Sequence, residues 1–120
     1  MDLNTIVTSL SLRVFCGDSL LQTEVLNGYV GDLLSDVMAN SKEGDLWITR
    51  QVHQNIIAVA SLKDHAGIVL VQGAEPAKDT LAKALEVNMP VMGTDLSGFE
   101  ISGKIYNLIK AENGIAAFES

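Results

Sequence analysis

Cysteine is nearly missing from this chain: Cys16 is the only one in 120 residues. Small secreted domains usually carry paired cysteines, so a lone thiol excludes a disulfide scaffold and fits a reducing, cytoplasmic setting. Cys16 closes the apolar run Leu12-Arg13-Val14-Phe15-Cys16, which predicts an inert core or near-core thiol. Aromatic residues make up only 5% of the chain, so aliphatic side chains have to build the core. Cations are scarce too, eight Lys and Arg against fifteen Asp and Glu, for a net charge of -7. They are scattered from Arg13 to Lys110 and form no basic block. Such a surface repels phosphate backbones and anionic lipid, because holding either takes clustered cationic groups. Nucleic acid and membrane are therefore not expected as partners. No apolar run reaches the about 18 residues of a membrane span. Met1-Asp2-Leu3-Asn4 places no basic segment before an apolar stretch, so no secretory signal is expected. Linkers, repeats and low-complexity tracts are absent as well. One domain over residues 1–120 is expected, with a core at about 3–112 and a short tail at 113–120.

What is present is a series of short, punctuated elements. Leu3, Ile6, Val7 and Leu10 fall at helical spacing behind Asp2, a good N-cap. A strand is expected over residues 12–16, a turn at Gly17-Asp18-Ser19, and an extended stretch from about Glu24 to Val30. Asp32 is placed to cap a short helix carrying Leu33, Leu34, Val37 and Met38, with Asp36 solvated. Asp45 to Thr49 reads as a strand. The helix predicted from about Asn55 to Lys63 is apolar almost all round, which predicts deep cover. Gly67-Ile68-Val69-Leu70-Val71 is continuous rather than alternating, the pattern of a central strand buried on both faces. Pro76 is expected to open a helix reaching Val87, with Leu81 and Leu85 inward and Asp79 paired to Lys83. Pro90-Val91-Met92 is another strand. The last helix has a capping box at Ser97 and Glu100 and a staple of Leu96 with Ile101. Its buried stripe is Ile101, Ile105, Leu108 and Ile109, with Gly114 as the stop. From Asp45 onward strands and helices alternate, which specifies an α/β fold: right-handed crossovers and a mainly parallel sheet covered by helices on both faces.

Several motifs invite chemistry. Gly98-Phe99-Glu100-Ile101-Ser102-Gly103-Lys104-Ile105 matches a phosphate-binding loop up to its last position, which should be Ser or Thr to hold magnesium and is Ile105. Ile101 and Ile105 stand at i and i+4, so the segment is predicted to be packed helix. His53 and His65, the only histidines, lack further ligands at metal spacing, so no metal site is expected. No serine stands in a nucleophile elbow. The polar run Thr49-Arg50-Gln51-Val52-His53-Gln54-Asn55 leads from the carboxyl end of a strand into a helix, where open α/β sheets bind ligands. Gly73-Ala74-Glu75 and Gly93-Thr94-Asp95 are expected to reach the same edge. Candidate ligand-binding residues are thus Thr49, Arg50, Gln51, His53, Asn55, Gly73, Thr94 and Asp95, suited to a small anionic group. The plainer alternative is that Thr49, Gln51 and Asn55 only cap the helix and satisfy loop backbone.

The run Gly28-Tyr29-Val30-Gly31-Asp32-Leu33-Leu34-Ser35-Asp36-Val37-Met38-Ala39-Asn40 resembles the signature of DRTGG domains. Asp45-Leu46-Trp47-Ile48-Thr49, with Gln51, His53, Asn55 and Ala58-Val59-Ala60, resembles their second motif, and with Thr94 to Ser97 the similarity spans about residues 3–110. The stretch that names the family is degenerate here, Gln22-Thr23-Glu24-Val25-Leu26-Asn27-Gly28, with only the last glycine kept. The resemblance implies a three-layer fold like the N-terminal domains of HPr kinase/phosphorylase and of Mur ligases. In that kinase the catalytic loop belongs to a separate C-terminal domain. Similar domains sit beside nucleotide-sensing CBS pairs in some pyrophosphatases and contribute to dimer contacts, which implies a homodimer.

The expectation is a non-enzymatic, cytoplasmic regulatory module of the DRTGG type that senses a ligand or binds a protein, with no cofactor. The alternative is a domain binding a nucleotide or phosphorylated metabolite as accessory subunit of a kinase or metabolic enzyme. The apolar segment Ile115-Ala116-Ala117-Phe118 could cover a partner's surface or its own domain.

Overall fold

The computed structural model describes residues 1–113, and Gly114 and the apolar segment after it lie outside the described residues. Helix α1 (Leu3–Leu10) starts where the Asp2 carboxylate accepts the backbone N–H of Thr5. It ends on Ser11 in the left-handed conformation. Strand β1 (Arg13–Cys16), a 3-10 turn at Asp18–Leu20 and β2 (Asn27–Val30) follow. Then come α2 (Leu34–Asn40), β3 (Asp45–Thr49), α3 (Asn55–Leu62), β4 (Gly67–Leu70), α4 (Lys78–Val87), β5 (Val91–Gly93) and α5 (Gly98–Glu112). One five-stranded sheet has the order β1-β5-β4-β3-β2. β2, β3, β4 and β5 run parallel, and β1 pairs antiparallel with β5 at one edge. This is the expected mainly parallel α/β sheet, and β4 is its middle strand.

Alternation along the strands divides the core in two. Leu46, Ile48, Val69, Val71 and Met92 face Leu3 and Ile6 of α1 and Ile101, Ile105 and Ile109 of α5. Trp47, Ile68, Leu70 and Val91 face Val37 of α2, Ile56, Ile57 and Ala60 of α3 and Ala84 of α4. Helices thus cover both faces, making three layers. Cys16 is buried, its thiol donates to the Met89 carbonyl at 3.4 Å, and burial raises its pKa. No helix among the described residues is long and apolar enough to cross a membrane.

Four local expectations are corrected. Helix α3 is not covered all round, because Ala58 is exposed and Leu62 is 69% exposed. Only the side bearing Ile56, Ile57 and Ala60 meets the sheet, which shows that composition alone overstates burial on a two-turn surface helix. Helix α4 begins at Lys78, two residues past Pro76, and buries Thr80 and Ala84, leaving Leu85 65% exposed. The Thr80 hydroxyl donates to the Val52 carbonyl at 2.7 Å, and that anchor sets the rotation of α4. Lys83 pairs with Glu86 at 3.5 Å instead of Asp79; exposed ammonium groups choose between such neighbours at almost no energetic difference. Asp36 is half-buried rather than solvated, accepting from the Tyr29 hydroxyl and, at 2.8 Å, from the Asn40 amide.

Candidate functional site

The carboxyl ends of β2, β3 and β4 lie side by side, and the chain leaves each of them sharply. Trp47 is fully buried, and its indole N–H donates to the Gly31 carbonyl at 2.8 Å, which fixes how β2 exits the sheet. Asp32 comes next. It was expected to cap α2, but that helix starts at Leu34 behind Leu33 and has no side-chain cap. Asp32 turns across the sheet end instead. Its Oδ1 accepts the Thr49 hydroxyl at 2.7 Å and the Arg50 backbone N–H at 2.9 Å. The Gln51 side-chain amide donates to the Asp32 carbonyl at 2.8 Å, and the Gln51 backbone N–H donates to the Thr49 hydroxyl at 3.2 Å. The exit loops of β2 and β3 are thereby tied into one unit. Helix α3 starts behind Gln54, again without a side-chain cap, so Thr49, Gln51 and Asn55 do not cap it.

Two clefts flank this tie. One, of about 220 Å³, is bordered by Gly31, Asp32, Thr49, Arg50, Gln72 and Gly98, the first residue of α5. The other, of about 270 Å³, is bordered by Asp32, Arg50, Gln51, Val52 and His53. Gln72 holds a left-handed φ of 57° at the rim, an uncommon state for a residue with a Cβ. Ala77 and Thr80 both donate to the Val52 carbonyl, at 3.2 and 2.7 Å, which pins the β3–α3 loop to the start of α4.

Of the sequence-predicted residues, Thr49, Arg50, Gln51 and His53 border these clefts. Asn55 stands exposed at the start of α3 and borders neither. Gly73, Thr94 and Asp95 form a separate turn. The Gly73 N–H donates to the Thr94 carbonyl at 2.9 Å, the Thr94 hydroxyl accepts from Leu96 N–H at 3.2 Å, and Asp95 pairs with Arg13 at 3.1 Å. Sequence reasoning did not place Gly31, Asp32, Gln72 and Gly98 at the site. Only the strand order puts them beside Arg50, and the one available signal was that Asp32 stands two residues past a strand end.

The glycine-lysine stretch at residues 98–105 is helix: Ser97 caps α5 by accepting the Glu100 N–H at 3.2 Å, and Ile101 and Ile105 are buried. Gly98 and Gly103 are helical residues of α5, not a loop around phosphate.

At the opposite end of the sheet, His65 is 6% exposed and edge-on to Trp47, ring centres 5.6 Å apart. Its Nε2 lies 2.8 Å from the Ser41 hydroxyl, which donates to the Val37 carbonyl at 2.6 Å. That hydroxyl has one proton, so Nε2 must carry the ring's hydrogen and Nδ1 is a bare acceptor. Nδ1 is buried without a partner. Burial is the main reason that the ring's pKa is lowered, with Lys63 adding to it and Asp45 and Asp64 opposing.

No protein-family model matches the chain, and no curated protein does. Among solved structures it is similar to the CBS and DRTGG domains of the regulatory region of Clostridium perfringens pyrophosphatase, crystallised with the activator diadenosine tetraphosphate. The TM-score is 0.63 at 18% identity, over 84% of this chain and 44% of that one. The likeness is one of fold, and the chain spans less than half of that structure.

Proposed function

We propose that this chain is a non-enzymatic regulatory module of the DRTGG type that senses a small anionic ligand, a nucleotide or phosphorylated metabolite, in the clefts around Arg50. The observation that carries the reading is the tie of Asp32 to Thr49 and Arg50 beside the start of α5. Arg50 and the amide end of a 15-residue helix offer positive potential on an otherwise acidic surface. Oδ1 of Asp32 is committed to the loop, while Oδ2 is left to accept from a ligand hydroxyl or amine. That combination suits a molecule with a phosphate at one end and sugar or base donors at the other. The fold likeness to a region crystallised with a dinucleotide activator lends further support. A non-catalytic role fits the helical state of the glycine-lysine stretch, which removes the only phosphate-transfer motif in the sequence.

The test is a thermal-shift screen with nucleotides and phosphorylated metabolites. A ligand at a hundredfold excess over its dissociation constant stabilises by about 2.7 kcal/mol, a clear rise in melting temperature. The rise should vanish in the Arg50→Ala, His53→Ala double variant. A panel without any shift, or a double variant that keeps the full shift, would defeat this reading.

A second reading, self-association as a homodimer, is favoured by Phe99, which is 91% exposed on α5.

A further inference from the structure

Helix α5 turns Ile101, Ile105 and Ile109 into the core, yet its other side is not an ordinary solvated face. Phe99, Gly103 and Tyr106 follow one another at i, i+4 and i+7, so they share one side of the helix. With Val30 of the edge strand β2 they border an open apolar notch whose only charged lining residues, among the described residues, are Glu100 and Lys104.

Gly103 lies at the floor of the notch, and its own chain does not explain it. It is not among the glycines with a positive φ, and a Cβ there would meet nothing within 4 Å. Glycine inside a helix costs about 1 kcal/mol relative to alanine. The glycine leaves open space on that face, room for a knob from outside, and Phe99, one turn away, is such a knob, 91% exposed. A knob and its hole on the same helix are what a twofold contact requires, since residue i must meet j while j meets i. The charges follow the same rule. Glu100 and Lys104 are one turn apart, and among the described residues no ion pair joins them. Two antiparallel copies of α5 crossing at the level of Ile101 bring each Phe99 to the other copy's Gly103, and each glutamate within a turn of the other copy's lysine.

We propose that this face of α5 is the surface through which a second copy of the chain docks, as an antiparallel helix pair with Phe99 seated over Gly103. The proposal rests on the homodimer reading and names its interface. Val30 and Gly98 border both this notch and the smaller ligand cleft, but association is read without any ligand present.

The experiment is sedimentation velocity of the full chain from about 1 µM to about 1 mM, the range in which an interface below the usual area associates. The wild type should shift from monomer to dimer with rising concentration. Gly103→Leu fills the hole with a good helix former and should raise the dissociation constant at least tenfold, and Phe99→Ser should do the same from the other side. Lys104→Glu should weaken association most at low salt. Circular dichroism confirms that each variant is folded, and Phe99→Ser stands in if the leucine variant is not. Variants that all dimerise like the wild type would place the interface elsewhere and overturn the proposal while the homodimer survives. A wild type that stays monomeric throughout overturns both, including the case in which a different protein covers this face.

Discussion

The Asp32 carboxylate accepts the hydroxyl of Thr49, 17 residues further along, at 2.7 Å. The bond joins two neighbouring strand ends that no local preference connects. Thr49 is buried, so losing its acceptor strands a hydroxyl away from water. Asp32→Ala is expected to cost about 1–3 kcal/mol, read as a lower urea midpoint, and Asp32→Asn to cost less because an acceptor stays in place. A double-mutant cycle with Thr49→Val should return a coupling of at least about 0.5 kcal/mol. Strict additivity would mean that the bond does not hold the loops together.

Stability should depend on pH through His65. Its folded pKa lies below the ordinary value of 6.5 because the ring is buried. Above pH 6.5 the ring is neutral in both states and the stability is fully present. Below it, unfolded chains take up a proton that the buried ring refuses, so stability falls with pH until the lowered pKa has been passed. Urea midpoints measured between pH 8 and pH 5 should fall over this window, and His65→Gln, whose amide can still donate to Ser41, should flatten the slope. An unchanged slope in that variant would assign the effect to other groups.

Gly103→Ala should stabilise the monomer. The new methyl group meets nothing within 4 Å, and alanine favours the helix by about 1 kcal/mol. A rise of about 2–5 °C in melting temperature is expected at concentrations too dilute for association. A fall would reveal an intrachain contact at that site.

Gly17→Ala should do the reverse. Gly17 has a φ of 92°, and a Cβ there would come within 2.7 Å of the Pro90 Cα. The backbone strain and the clash both fall where β1 turns away from β5. A loss of about 1–3 kcal/mol is expected, seen as a lower midpoint in denaturant. An unaltered midpoint would show that the turn relaxes freely.

The legible parts of the fold were those written within a few neighbouring residues. Asp2 and Ser97 cap their helices through bonds three residues long, and such signals survive without any tertiary context. The continuous run at residues 67–71 announced a central strand because a strand covered on both faces cannot alternate. Leu62 and Leu85 misled because apolar composition says nothing about which side of a helix finds a neighbour. Half of the candidate site was legible, the loop from Thr49 to His53, because it follows a strand. Asp32, Gln72 and Gly98 were not, since each reaches the clefts from a different strand or helix.

By itself, the sequence determined the element types, the two-faced burial of β4 and the helical state of the glycine-lysine stretch, all consequences of side-chain periodicity and local hydrogen bonding. Tertiary structure alone decided that Asp32 grips Thr49 instead of capping a helix, and that Gln72 and Gly98 stand beside Arg50. Those outcomes depend on strand order, and strand order is set by how the whole chain buries its apolar surface at once.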